Sequence, residues 1–269
     1  MRITTSDSCI VPVAVKLPGS VIPLKKKGSA ETTQFDFIAQ VRDSKGAIAA
    51  TVRDNITIRL RDENAGKLSN ASLLYDTGFM LSPGEFKLKM LVRENQTGKM
   101  GTFESAFKVP DIHAEKTSLR LSSVVWSSQR QAAAENVGSA DKKAARLKRH
   151  PLVQGGQKLI PSVTRVFHAG QPIFVYAEAY DAQTRERDGS PAVSAIVTLY
   201  RDGKQVLESR SVVGATILPG RDKTVPLSLE FAPANVPPGS YVAQLTVVDP
   251  LGKRFATSRA SIVILPPRA

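Results

Sequence analysis

The stretch LSPGEFKLKMLVRENQTGKMGTFESAFKVP, residues 81–110, returns in altered form as VPPGSYVAQLTVVDPLGKRFATSRASIVILP, residues 236–266. In each copy a Pro-Gly pair launches a run of alternating apolar residues. Pro83-Gly84 precedes Phe86, Leu88, Met90 and Val92; Pro238-Gly239 precedes Tyr241, Ala243, Leu245 and Val247. Alternation at period two places such side chains on one face of a β-strand. Proline fixes φ at a corner and glycine accepts positive φ, so a type II turn is expected at each pair. Each strand then meets a polar hairpin, with Gly98-Lys99 answering Gly252-Lys253. A return strand follows, through Phe103 and Phe107 in one copy and Phe255, Ile262 and Ile264 in the other. The copies are offset by 155 residues at the Pro-Gly pair (238 − 83) and 154 at Gly-Lys (252 − 98), so their hairpin loops differ by one residue.

The same pattern extends upstream. In FDFIAQVRD, Phe35, Phe37, Ala39 and Val41 point one way and Asp36, Gln40 and Arg42 the other, which predicts a strand with one buried face. A turn at 44–46 leads into AIAATVRDNITIRLRDE, with Val52, Ile56, Ile58 and Leu60 as core positions and a break expected at Asp54-Asn55. FDFIAQVRD also resembles IFVYAEAYD, which ends at Asp181, and this second match is read as part of the same duplication. SLRLSSVVW, 118–126, reads as a further strand with Leu119, Leu121 and Val124 alternating among serines, and Trp126 as a packing residue. The expected fold is all-β: two tandem Ig-like, fibronectin III-like, antiparallel β-sandwich domains built from short strands at regular spacing. Residues 1–112 form the first, and 113–269 the second, with a long inserted loop at about 127–157.

At 269 residues, 42% hydrophobic, the chain has the length and apolar content for two packed cores. Its apolar runs are strand-sized, far below the ~20 residues that span a bilayer. The opening MRITTSDSCIVPVAVKLPG shows no signal-peptide pattern and starts on a strand, CIVPVAVKL, so the first domain is expected to be truncated at its N-terminus. Cys9 is alone and reads as a small apolar strand residue, which excludes an internal disulfide. The net charge of +13 is diffuse: residues 1–112 carry sixteen Lys/Arg against twelve Asp/Glu. A surplus of that kind favours solubility and weak attraction to anionic surfaces rather than a specific nucleic acid.

The densest charge lies in the inserted loop, at Lys142, Lys143, Arg146, Lys148 and Arg149, where ADKKAARLKRH also suggests a helical turn or two. This cluster is the one candidate site, a docking patch for an anionic polymer or acidic partner. It contains no aromatic residue for base stacking, so it does not read as a nucleic-acid surface. LKKKG at 24–28 reads as an edge device that keeps strands from pairing with other chains. His113, His150 and His168 lie too far apart for a zinc pattern, and no G-x-S-x-G elbow or phosphate loop occurs. Asp43, Asp181 and Asp249 sit at strand ends, where Asx-turns are expected. No catalytic residue, metal ligand or cofactor follows from this pattern.

The ordered motifs FDFIAQVRDSKGAIAATVRD, YDTGFMLSPGEFKLKMLVRENQTGKMGTFE, LRLSSVVWSSQ, PLVQGGQKLIPSVTRVF and FVYAEAYD resemble the C-terminal region of VWFA-related domain proteins of acidobacterial type, from about Phe35 onward. The resemblance implies an exported, extracellular, periplasmic or cell-envelope protein whose Ig-like modules engage a protein partner. The D-x-S-x-S of a metal-ion-dependent adhesion site is not supplied by the nearest text, TTSDSC at 4–9, so no functional residue is carried over. The expected role is a non-enzymatic structural or protein-interaction module, with a carbohydrate-binding or cell-surface adhesion module as the alternative.

Overall fold

The computed structural model describes residues 8–27, 30–61, 72–112, 117–132, 151–218 and 223–268. Two compact units divide near residue 111, and each is an Ig-like β-sandwich.

In the first unit β1 (Cys9–Pro18) is followed by β2 (Lys25–Lys27), β3 (Ala30–Asp43), β4 (Ile48–Arg61), β5 (Ser72–Leu81), β6 (Gly84–Glu94) and β7 (Met100–Val109). One sheet runs β4-β3-β6-β7, with β2 beside the first residues of β3. Facing it is the pair β1-β5. The alternation of FDFIAQVRD sets the core: Phe35, Phe37, Ala39 and Val41 are buried with Tyr75, Phe79 and Leu81 from the opposite sheet. Phe37 stacks on Tyr75 with ring centroids 3.9 Å apart. Full burial of a side chain of this size contributes about 1.5–3 kcal/mol relative to exposure.

One expectation fails here. β4 is unbroken through Asp54-Asn55, because the inward-facing Asp54 carboxylate accepts a hydrogen bond from the Tyr75 hydroxyl at 2.7 Å. LKKKG lies at an edge as read: Lys25–Lys27 form a short terminal strand paired with β3.

The second unit contains β8 (Arg120–Leu121), β9 (Val125–Ser127), β10 (Gln129–Ala132), β11 (Val153–Gln154), β12 (Gln157–Ile160), β13 (Val166–His168), β14 (Ile173–Tyr180), β15 (Val193–Arg201), β16 (Lys204–Glu208), β17 (Val212–Gly214), β18 (Val225–Phe231), β19 (Gly239–Asp249) and β20 (Arg254–Leu265). One sheet runs β13-β20-β19-β15-β16, with β17 also on β15; the other runs β18-β14, with β8 and β9 on the far side of β14. All pairs are antiparallel except β13 with β20. SLRLSSVVW is therefore two short strands. Between them Ser122 replaces the ladder, donating its N–H to the Glu178 carbonyl at 2.8 Å while its Oγ accepts the Glu178 N–H at 2.9 Å. Trp126 is 3% exposed and packs in the core with Ile173, Val197 and Leu245.

The hairpins β6-β7 and β19-β20 are the repeated element, and their neighbours reveal which upstream match is real. β6 pairs with β3, and β19 with β15. The counterpart of FDFIAQVRD is thus VSAIVTLYR, each followed by a tight hairpin at Asp43 or Asp202. IFVYAEAYD forms β14 in the opposite sheet, so its likeness to FDFIAQVRD reflects strand composition and not equivalent position. The Pro-Gly pairs also differ from expectation. Gly84 and Gly239 open their strands at φ 159° and 152°, far from the ~80° of a type II turn. A Cβ on Gly84 would meet the Phe86 ring at 3.3 Å, and one on Gly239 the Arg201 guanidinium at 3.3 Å. The shared unusual conformation is itself a mark of duplication.

Candidate interaction surface

The inserted segment is where a site was expected. Its basic cluster, Lys142, Lys143, Arg146, Lys148 and Arg149, and the suggested helical turn lie outside the described residues, as do His113 and His150. The ends of the segment are not a loop: β10, β12 and β11 form a small antiparallel meander with β12 central. It lies on the outer face of β14, where Leu152 and Leu159 pack against Tyr176 and Phe174, and the Arg130 guanidinium stacks 4.0 Å over the Phe174 ring. Ser127 Oγ donates to the Ile160 carbonyl, and the Ser162 N–H donates to the Trp126 carbonyl at 2.8 Å, fastening the meander to β9.

This cover explains why β14 is buried on both faces. Its odd residues, Ile173 to Ala179, enter the sandwich core; Tyr176, Glu178 and Tyr180 face the meander. Glu178 is fully buried, and its two carboxylate oxygens accept hydrogen bonds from the Tyr176 and Tyr180 hydroxyls at 2.9 and 3.0 Å. Lys158 of β12 is buried as well. Such groups are retained in a fold only with compensating partners, and they favour one arrangement of the meander over slipped alternatives. The cavity beside them, lined by Arg130, Leu152, Gln157, Leu159, Phe174 and Tyr176, measures about 80 Å³. That is room for two or three waters, against the ~300–1,000 Å³ of a small-molecule site.

Buried carboxylates elsewhere serve the hairpins. At the turn of β6-β7, Glu94 Oε1 accepts the Gln96 N–H at 2.8 Å, and Oε2 accepts the Thr97 N–H at 2.7 Å and the Thr97 hydroxyl at 2.6 Å. Burial pushes its pKa up, but the Thr97 and Gln96 hydrogen bonds outweigh this and hold the carboxyl below its ordinary 4.5. The equivalent residue of the second hairpin is Asp249, fully buried. It accepts the N–H groups of Gly252 and Gln183 at 3.0 Å each, and Arg254 Nη2 at 2.9 Å. Arg254 also donates to the Asp181 carbonyl at 2.7 Å, so the acid locks the hairpin to the loop after β14. Asp43 forms the expected Asx-turn, accepting the N–H groups of Lys45 and Ala47 at 2.9 Å. Asp181 shows no such bond; it occupies positive φ, 53°. The pairing of Glu94 with Asp249 is a second signature of the repeat, hidden because the two side chains differ in length. Among the described residues no group of three or more His, Cys, Asp or Glu stands close enough to hold a metal, and no helix is long and apolar enough to cross a membrane.

The open surface lies on the opposite sheet of the second unit. Across its outer face, Val213, Ser194, Val248 and Phe255 form one cross-strand row, and Ile196, Thr246 and Thr257 the next. Val213 is 65% and Phe255 68% exposed. The third row, Glu208, Thr198, Gln244 and Arg259, brings in the first charges. In a chain that is 23% charged, this is a β-branched and weakly charged face. Phe255, read with the core residues Ile262 and Ile264, points outward instead: an odd position on β20 cannot share the face of even ones.

One edge of this sheet is also open. β13 covers only Val263–Leu265 of the twelve-residue β20. There the Val263 N–H donates to the Arg165 carbonyl at 3.0 Å, and the Leu265 carbonyl accepts the Ala169 N–H at 2.9 Å. By the period of the strand, Phe255, Thr257, Arg259 and Ser261 turn their peptide groups to the same edge, where no described strand pairs with them.

No protein-family profile and no curated protein matches the chain. Solved structures resemble it weakly: Escherichia coli alpha-2-macroglobulin activated by porcine elastase, at 10% identity and TM-score 0.30, covering 97% of this chain and 24% of that one; and dimeric latent PorU from Porphyromonas gingivalis, at 12% identity and TM-score 0.29, covering 96% and 22%. The chain spans about a quarter of each. Likenesses at this level identify neither a family nor an activity.

Proposed function

We propose that the chain is a non-enzymatic structural or protein-interaction module, with domains 1–112 and 113–269, belonging to an exported or cell-envelope protein of the VWFA-related type. The observation that carries the interaction role is the exposed row Val213, Val248 and Phe255 on a sheet face with few charges. An exposed apolar row of this kind gains free energy by being covered, and Phe is among the residues enriched in protein interfaces. The assignment to the envelope rests on the sequence resemblance alone. A sugar-binding role finds less support, because Trp126 is a core residue, and Phe103 and Phe255, the large exposed aromatics among the described residues, belong to different units.

The test is photo-cross-linking in the native cells with a benzoyl-phenylalanine placed at Val213 or Phe255. Adducts with a defined protein, lost when Val248 is changed to Asp, are the expected result. Absence of any protein adduct at both positions overturns the reading.

A further inference from the structure

We infer that the open edge of β20, from Phe255 to Ser261, accepts an extended segment of a protein partner as an added strand, with a carboxylate of that segment against Arg259. This rests on the interaction reading above and names the edge and the chemistry of the partner.

The edge is unusually available. Seven residues at about 3.3 Å each give a front of roughly 23 Å. Four of them present both N–H and C=O groups outward, and only another extended backbone answers that alternating row. Exposed edges in folded proteins are normally blunted by proline, a bulge, inward charge or charged edge side chains. Over this stretch β20 has no proline, bulge or inward charge and one charged edge residue, Arg259: its register with β19 runs without a break, and its inward-side residues Ala256, Ser258 and Ala260 are small and uncharged. The opposite edge of the sheet is protected, since the register between β15 and β16 shifts at Leu199/Tyr200 and the edge strands are short.

Charge selects the occupant. After Asp249 the chain has no Asp or Glu, but has Lys253, Arg254, Arg259 and Arg268. Arg259 is exposed, its Nε donates to Gln244 Oε1 at 2.7 Å, and no described carboxylate pairs with it. That hydrogen bond holds the guanidinium on the outer face of the strand, leaving further donors for a carboxylate. A second copy of the chain would bring Arg259 towards its own symmetry mate in a protein of net charge +13, so an acid-bearing segment fits and self-pairing does not.

The full-length protein should be tested with nonapeptides that alternate Val and Thr and carry one Glu at each polar position in turn, beside the same set with Lys. Amide hydrogen exchange is expected to slow at Phe255, Thr257, Arg259 and Ser261 with the Glu set, and to stay unchanged at Ala256, Ser258 and Ala260, which already bond to β19. Thr257→Pro removes an outward donor without touching the β19 ladder, a change an edge strand tolerates. It should weaken binding at least tenfold while leaving the fold intact. Arg259→Glu should reverse the preference from Glu to Lys peptides by up to about fivefold, as an exposed charge pair does. No protection with any peptide, equal protection by the Lys set, protection that survives Thr257→Pro, or dimerisation of the free protein through this edge would each overturn the inference. If Thr257→Pro leaves the in-cell protein adducts unchanged, the edge is wrong and the module stands; if the wild type gives no adducts, the module reading itself fails.

Discussion

Asp249 is a sensitive point of the second sandwich, and its replacement by alanine tests the hairpin lock directly. The carboxylate is fully buried and bonds two N–H groups and the Arg254 guanidinium within 3.0 Å. Removing one member of a buried charge pair costs about 3–5 kcal/mol, because the partner is left desolvated and unpaired. With a urea dependence of roughly 2 kcal/mol/M for a domain of this size, the midpoint should fall by about 1.5–2.5 M. Trp126 is the sole tryptophan and lies in this unit's core, so its fluorescence follows this domain alone. The two N–H groups bond different carboxylate oxygens, so Asp249→Asn keeps an acceptor for one of them only and should lose somewhat less than alanine. The double change Asp249→Asn with Arg254→Met removes both charges and should recover part of the loss, since a buried pair is worth little against a neutral replacement but the bond from Arg254 to the Asp181 carbonyl goes with it. A shift below about 0.5 kcal/mol for Asp249→Ala, or a double variant weaker than Asp249→Ala, would refute the reasoning.

The first sandwich should lose stability in acid through Glu94. Its folded pKa lies below the ordinary 4.5, so its contribution is complete above that pH and disappears as pH falls through the lower folded value. Thermal melts from neutral to acid pH should show this slope reduced in Glu94→Gln. Tyr241, whose hydroxyl donates to the Pro237 carbonyl at the start of β19, forms a tyrosine corner. Tyr241→Phe should cost the second unit about 1–2 kcal/mol by Trp126 fluorescence, and an unchanged urea midpoint would deny the bond a role.

What the residues disclose depends on how many faces a strand buries. FDFIAQVRD buries one, so its alternation gives both strand and orientation. The Pro-Gly and Gly-Lys pairs mark the repeated hairpin for the same reason, since turns restrict residue choice locally. β14 buries both faces, so no one-sided alternation marks its Tyr176, Glu178 and Tyr180 as covered. β10, β11 and β12 are too short and polar to announce themselves. The turn-capping role of Glu94 depends on backbone N–H groups brought to it by the hairpin, which no side-chain pattern encodes. The open edge of β20 is a property of what does not pair with it, and so belongs to topology.

The meander gives the second sandwich a direction. One broad side is roofed over β14, with polar groups sealed beneath it, and beyond the roof the exposed residues of β18 are the polar Ser228 and Glu230; the other is bare and apolar. A body approachable from a single broad side stacks once and then stops, whereas fibre growth by face-to-face stacking needs two complementary sides per unit. Broad-face stacking on this domain would therefore end with the first neighbour, as a terminal cap rather than a repeating link.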